Sequence, residues 1–149
     1  MLNTILVALD VTADTSPAKM GLSNQVLQTL GRLQLEPETK VVLSHVVPTN
    51  RAEVEIVVDR PQADLESFPY PQIEKQLQTY QQGLPCQSEV EIVTGDPAEE
   101  ILRLAKIYKA DLIVIGSRGL TGMQKIVLGS VSSQIVEDAP CSVLVVKPK

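Results

Sequence analysis

The sequence has one histidine, one phenylalanine and no tryptophan, and each of these scarcities excludes a kind of site. A zinc site built from several histidines cannot form around His45 alone. Proteins that bind single-stranded nucleic acids usually stack bases on aromatic side chains, and Phe68 by itself offers no such platform. The net charge of −5, without a cluster of Lys and Arg, also argues against a surface for phosphate backbones. We therefore expect no nucleic-acid partner.

Cysteines and long apolar runs are scarce as well. The two cysteines, Cys86 and Cys141, do not have the spacing of metal ligands, and we expect them to be reduced thiols. No apolar run approaches the roughly 20 residues that span a bilayer. The amino-terminal residues lack the basic region of a signal peptide. Together these features predict a cytoplasmic protein with no membrane partner.

The apolar residues, 44% of the chain, occur in short runs that predict a single domain over residues 1–149. Helical periodicity predicts helices between these runs, and the clearest start is at Asp96, an N-cap residue followed by a proline. Alternating strands and helices are typical of an α/β fold. We expect an open five-stranded parallel sheet in the order 3-2-1-4-5, with helices on both faces. The predicted strands are residues 5–9, 40–47, 90–93, 112–115 and 142–146.

Residues 50–71 interrupt this alternation. The segment contains three prolines and a short alternating run at residues 53–59, and it is too long for a plain strand-to-helix connection. The preferred interpretation is a surface excursion with a short edge strand. The alternative is a lid or a partner-contact arm near a ligand.

A glycine-spaced motif directly follows the predicted fourth strand. Gly116, Gly119, Gly129 and Ser130 form the pattern G-x2-G-x9-G-S, which ends where a helix is predicted to begin. Glycines let backbone N–H groups approach an anion closely, and a helix N-terminus adds unpaired N–H donors and a favourable dipole. The pattern indicates a phosphate-binding loop. The alternative is that the glycines only mark turns.

Other nucleotide-binding motifs do not fit. The first strand is followed by residues 10–16, which contain no glycine, whereas a dinucleotide-binding fold places G-x-G-x-x-G there. Gly122 is followed by Met123 and Gln124, and not by the Lys-Ser/Thr ending of a P-loop. The third strand leads into Thr94 and not into the aspartate of a phosphoacceptor domain.

Asp10 follows the first strand, and Gly116 follows the fourth. In the order 3-2-1-4-5 these strand ends are neighbours at the point where the winding reverses, which is where open α/β sheets bind ligands. Alone, Asp10 would as readily be a capping or turn residue. With the glycine loop opposite, we expect it to contact a ribose or a bound Mg²⁺.

In these residues and motifs, the chain resembles universal stress proteins of the single-domain, ATP-binding type. The similarity covers nearly the whole length, and it rests on the G-x2-G-x9-G-S pattern and on residues 5–10, 43–46 and 95–97. Two segments depart from the family's usual pattern, residues 11–16 and the excursion. The resemblance implies a Rossmann-like fold, similar to the adenine nucleotide α-hydrolases, a role in stress response, and ATP or AMP as ligand, with Mg²⁺ possible.

The resemblance also implies a role for individual residues. Asp10 would meet the sugar or the metal, and the backbone at Val46 or its neighbour would read the adenine edge. Gly116 and Arg118 would lie along the ribose. The residues implied to hold the phosphates are Gly119, Gly129, Ser130, Val131 and Ser132. Arg118 would neutralise a triphosphate, or else be a solvated loop residue. His45 is expected to be satisfied by a local hydrogen bond.

No positioned catalytic pair emerges from the sequence. We therefore expect a regulatory nucleotide-binding protein with at most slow ATP turnover. The alternatives are an ATP-cleaving enzyme of the adenine nucleotide α-hydrolase group and a dimeric scaffold without nucleotide.

The fifth predicted strand, residues 142–146, is apolar and lies at a sheet edge in the expected order. An unpaired apolar edge invites aggregation unless another strand covers it. We expect a homodimer in which this strand pairs with its copy. The alternative is a monomer whose edge is shielded by the excursion.

Overall fold

The computed structural model describes residues 2–10, 17–48, 70–117 and 129–147. The described residues form five strands and four helices. The strands make a parallel sheet in the order β3-β2-β1-β4-β5. The predicted fold class and strand order are therefore confirmed. In chain order the elements are β1 (Thr4–Ala8), α1 (Pro17–Arg32), β2 (Lys40–Pro48), α2 (Tyr70–Gln82), β3 (Gln87–Gly95), α3 (Pro97–Tyr108), β4 (Leu112–Gly116), α4 (Ser130–Asp138) and β5 (Ser142–Val146).

The helices cover the sheet in two layers. One core lies between the sheet and α1 and α2, where Leu30 and Leu77 pack against the strands. The other lies beneath α3 and α4, where Leu104 and Ile135 do the same. Successive residues of β1 enter alternate cores and are almost fully buried. This explains its continuous apolar sequence, since a central parallel strand has no solvent-facing side.

The register of β1 and β4 is fixed at the amino edge of the sheet. The carboxylate of Asp111 accepts hydrogen bonds from the N–H groups of Asn3 and Thr4, both at 2.9 Å. The two strands then run in parallel from Ile5↔Leu112 to Ala8↔Ile115. Because the pairing is continuous, their carboxyl ends arrive side by side.

The beginning of α3 matches the sequence pattern. Asp96 is the N-cap, and its side chain accepts a hydrogen bond from the Glu99 N–H at 3.0 Å. Pro97 occupies the first helical position, where its missing N–H costs nothing. The helix ends at Tyr108, and the N–H of the C-cap residue Lys109 donates to Ala105 O and Lys106 O. The left-handed backbone of Lys109 (φ 53°) turns the chain so that the Ala110 N–H also donates to Ala105 O, at 2.9 Å.

Two elements differ most from the predictions, and β1, β2 and β4 differ by a single residue at one or both ends. The third strand was expected at residues 90–93 and runs over Gln87–Gly95. The second helix starts at Tyr70, before the first predicted apolar position at Ile73, so the last two residues of the excursion are helical. The rest of the excursion lies outside the described residues. None of the described helices is both long and apolar enough to cross a membrane.

Candidate functional site

The site begins where β1 and β4 end next to each other. β1 continues toward α1 on one face of the sheet, and β4 continues toward α4 on the other. Gly116 is the last residue of β4, and Asp10 lies two residues beyond the end of β1. Asp10 is exposed, whereas Leu9 before it is 5% exposed. The fold therefore brings the Asp10 and Gly116 segments to a crevice at the switch point.

The start of α4 is tied to the end of β4. The Ser117 N–H donates to Val146 O of β5 at 2.8 Å, and Ser117 O accepts from the Gly129 N–H at 2.9 Å. The two ends of the motif, Ser117 and Gly129, are thus in direct contact. Residues 118–128, which include Arg118 and Gly119, lie outside the described residues.

The N-terminus of α4 offers backbone donors with no built-in acceptor. Its N-cap is Gly129, which makes no side-chain cap bond, and its first turn holds no acidic residue. The N–H groups of Ser130, Val131 and Ser132 have no acceptor within the helix, and they stand at the positive end of its dipole. Gly129 has φ −66° and ψ 166°, angles open to any residue. What this glycine contributes is therefore the absence of a side chain.

The side chain of Ser132 forms hydrogen bonds within the protein. Its side chain is buried, and its Oγ lies 2.8 Å from Gly116 O and 3.1 Å from Ser117 O. A hydroxyl has one hydrogen, so the two carbonyl oxygens share it. The hydroxyl thus holds α4 against the end of β4, and only the backbone N–H of Ser132 remains for an anion. The hydroxyl of Ser130, in contrast, belongs to an exposed residue.

Ser117 is a residue of this region that the motif did not single out. It is 1% exposed, and its Oγ has no hydrogen-bond partner among the described residues. A buried hydroxyl without a partner costs about 1–3 kcal/mol. The two-residue alternation of β4 was the available signal, because Ile113 and Ile115 face the core beneath α3 and α4.

On the other side of the crevice, Val46 presents backbone groups. The Ser44 oxygen accepts a hydrogen bond from the Leu9 N–H at 2.9 Å, so the polar groups of Ser44 point toward β1. Those of Val46, two residues later, point the same way. The paired residues of β1 and β2 end at Ala8↔Ser44. The N–H and C=O of Val46 therefore face the crevice.

His45 connects the ends of β1 and β2. The ring is 5% exposed, and Nδ1 lies 2.9 Å from Leu9 O. A carbonyl only accepts, so Nδ1 carries the proton and donates. Burial lowers the pKa of His45, while the Leu9 hydrogen bond and the negative charge of Asp10 oppose that shift. The expected local hydrogen bond is confirmed.

No group of three or more His, Cys, Asp or Glu side chains within the described ranges could hold a metal ion. Mg²⁺ is usually held by one or two carboxylates together with the phosphates of a ligand. The exposed carboxylate of Asp10 therefore suits a Mg²⁺ ion that is also bound by the phosphates of a nucleotide.

Comparison with known proteins identifies relatives of this chain. The model of the universal stress protein family matches residues 1–147. Universal stress protein MJ0531 of Methanocaldococcus jannaschii is 51% identical over 57 residues, which cover 38% of this chain and 34% of that protein. Universal stress protein Sll1388 of Synechocystis sp. is 41% identical over 70 residues, covering 47% of this chain and 44% of that protein. The chain thus aligns with less than half the length of either relative.

Solved structures share the fold over nearly the whole chain. The structure of MJ0577, a universal stress protein of M. jannaschii, superposes with a TM-score of 0.78 at 25% identity, covering 99% of this chain and 96% of that one. A universal stress protein family protein from Arabidopsis thaliana with AMP bound has a TM-score of 0.59 at 22% identity, with coverages of 99% and 92%. A universal stress protein in complex with cAMP has a TM-score of 0.67 at 20% identity, covering 99% of each chain.

The family match extends from residue 1 to residue 147, and solved universal stress proteins share the architecture seen here. This chain belongs to the universal stress protein family.

Proposed function

We propose that the chain binds an adenine nucleotide, ATP or AMP, in the crevice between Asp10, Val46 and the start of α4, and that it acts as a regulatory module in stress response. One observation carries the proposal. The N-terminus of α4 has no side-chain cap and no acidic residue in its first turn, and it is tied to β4 at the switch point. Family membership supports the proposal, as do the AMP and cAMP held by two solved relatives.

The two sides of the crevice suit different parts of a nucleotide. The Val46 N–H and C=O form a donor–acceptor pair of the kind that matches the edge of an adenine. Gly116 and Arg118 would follow the ribose. The phosphates would lie against Gly119 and the N–H groups at the start of α4, which supply partial positive charge without a cationic side chain.

Asp10 would contact the sugar or share a Mg²⁺ ion with the phosphates. The ion would neutralise phosphate charge, and the carboxylate would orient it from the β1 side of the crevice.

Catalytic power is expected to be small. Among the described residues near the crevice, the ring of His45 is buried and donates to Leu9 O, so it is not placed to activate a water molecule. Asp10 is the remaining candidate for a base. We therefore expect ATP turnover far below the rates of about 1–1000 s⁻¹ that are typical of enzymes.

The assembly is a homodimer formed through β5, in a cytoplasmic protein whose single domain spans residues 1–149. Within the described sheet β5 is an edge strand, and Val143, Leu144 and Val145 are only half-buried. A second copy of the strand would pair its free backbone groups and cover this apolar surface. Cys86 and Cys141 are free thiols, in keeping with a reducing compartment.

Calorimetric titration with AMP and with ATP, with and without Mg²⁺, tests the binding proposal. Gly129→Val should abolish binding, because its side chain would occupy the space beside the first N–H groups of α4. Gly31→Val is the matched control, since a Cβ at Gly31 meets nothing within 4 Å. Undiminished affinity in Gly129→Val would contradict the site. Rapid ATP turnover by the native chain that is lost in Gly129→Val would favour the ATP-cleaving enzyme instead.

A further inference from the structure

The carboxyl ends of β1 and β2 are joined differently from the rest of the two strands. The paired residues run from Thr4↔Lys40 to Ala8↔Ser44, and the Leu9 N–H still donates to Ser44 O beyond them. In a parallel ladder, a residue that donates to one residue of the neighbouring strand accepts from the residue two positions later. Continuation of this pattern would give the Leu9 oxygen to the N–H of Val46.

A side chain takes that oxygen instead. The hydrogen bond found on Leu9 O comes from Nδ1 of His45, at 2.9 Å, and the ring is shielded from water. Among the described residues no acceptor is found for the Val46 N–H. The imidazole therefore replaces the next backbone hydrogen bond of the ladder. Val46 keeps its N–H directed at the crevice.

The same hydrogen bond orients Asp10. The carbonyl of Leu9 and the N–H of Asp10 belong to one rigid peptide plane, so fixing the oxygen fixes the direction in which the chain leaves the sheet. Leu9 is 5% exposed and Asp10 is exposed, so the plane lies at the boundary between core and crevice. His45 therefore acts on both sides of the candidate site through one contact.

We infer that His45 is a positioning residue that holds the Leu9 carbonyl out of the ladder, so that the Val46 N–H stays open to the base and Asp10 is directed at the sugar and phosphates. The inference rests on the proposed function for its ligand. Its structural part, an open Val46 N–H kept by an imidazole, concerns the ligand-free chain.

Three variants separate this role from general stability. His45→Leu removes the donor with a side chain of similar bulk, and the Val46 N–H is then expected to bond to Leu9 O. His45→Asn keeps a donor, because its amide nitrogen stands near the position of Nδ1. Thr39→Val is the matched control at the opposite edge of the same strands, where the buried Thr39 hydroxyl donates to Leu2 O at 3.0 Å.

Amide hydrogen exchange of ligand-free protein tests the structural part. The Val46 amide should exchange about tenfold more slowly in His45→Leu than in the native chain, because a hydrogen-bonded amide exchanges only when it opens. The rates in His45→Asn and Thr39→Val should match the native rate. A Val46 amide that is equally protected in the native chain and in His45→Leu would overturn the inference.

Titration with AMP tests the consequence for binding. Affinity should fall about tenfold in His45→Leu, stay within about threefold of the native value in His45→Asn, and remain unchanged in Thr39→Val. Equal binding by the native chain and His45→Leu would overturn the inference but leave the proposed function intact. An equal loss in Thr39→Val would also overturn it, since the effect would then be one of stability. Absence of AMP binding by the native chain would contradict the proposed function, and the exchange rates alone would then decide the role of His45.

Discussion

At the scale of single residues, the crevice depends on polar atoms that other atoms hold in place. The hydroxyl of Ser132 bonds to two carbonyl oxygens at the end of β4, and the ring of His45 bonds to the carbonyl of Leu9. Neither side chain is directed at a ligand. In the proposed site, both act by fixing neighbouring backbone groups.

The sequence predicts the structural role of His45 better than that of Ser132. His45 lies in an apolar run at the end of a strand, so a local hydrogen bond was the expected outcome. The segment Gly129-Ser-Val-Ser132 presents every residue as a candidate phosphate contact. Only the packing of α4 on β4 shows that Ser132 turns its hydroxyl inward. For Ser117, the alternation of β4 predicts a buried side chain, but not that its hydroxyl lacks a partner among the described residues. The direction of the Val46 N–H depends on where the pairing of β1 ends, which spacing alone does not specify.

Replacing Ser132 with alanine should lower the free energy of unfolding by about 1–3 kcal/mol, because the carbonyl oxygens of Gly116 and Ser117 lose a buried donor. Urea denaturation measures the change. Ser133→Ala is the matched control, since Ser133 is exposed on the same helix. Equal stability of the two variants would show that the Ser132 hydroxyl does not hold α4 to β4.

At the scale of helices and strands, the apolar content of a strand decides how well the sequence predicts its boundaries. β5 was predicted over its full length, because Ser142–Val146 is apolar after its first residue. β3 was predicted too short, since it is an edge strand whose first residues are polar. Lys40 pairs with Glu89 at 3.1 Å, and the Tyr108 hydroxyl bonds to Glu91, so polar contacts replace an apolar pattern there.

The early start of α2 has a different cause. Prolines at the end of the excursion were interpreted as part of an irregular segment. Pro71 instead occupies the first turn of α2, next to Tyr70, where a proline leaves no helical hydrogen bond unmade. A proline is compatible both with an irregular segment and with the first turn of a helix. Only the position of Pro71 in the structure distinguishes the two.

The edge strand β5 supports a prediction about assembly. Val145→Asp should shift the protein toward the monomer, because two carboxylates would lie close together across the two-fold axis. Sedimentation at micromolar concentration measures the shift. Ile107→Asp is the control, since Ile107 is 58% exposed on α3 and its replacement should leave the assembly unchanged.

Val145 also packs against the core beneath α3 and α4, so a thermal melt must show that Val145→Asp is folded. A native chain that sediments as a monomer would contradict the dimer. A folded Val145→Asp variant that remains dimeric would contradict this interface.

At the scale of the whole molecule, the hydrogen bonds that fix the strand register and the candidate site lie at opposite ends of the strands. At the amino edge, Asp111 caps the N–H groups of Asn3 and Thr4, and Thr39 holds Leu2. At the carboxyl ends of the strands, β1 stops pairing at Ala8 while its neighbours β2 and β4 continue, and backbone groups of Val46 and α4 face the crevice. The net charge of −5 disfavours anions over the surface as a whole. In the proposed site, the N-terminus of α4 supplies a local positive potential that the surface as a whole lacks.

The alternation of strands and helices made this overall arrangement predictable. Because connections between parallel strands are almost always right-handed, the position of the switch point follows from the strand order. The glycine motif then indicated which strand ends form the candidate site. What the pattern did not supply is the placement of individual donors, which depends on side-chain packing at the strand ends.

The most direct test is a titration of isotopically labelled protein with AMP, followed through the chemical shift of each backbone amide. The account predicts the largest changes at Val46, Ser130 and Val131, and small changes at Gly83 and Leu84, which lie between α2 and β3 at the opposite edge of the sheet. An absence of shifts at millimolar AMP, or shifts concentrated at the opposite edge, would contradict the proposal that this crevice binds an adenine nucleotide.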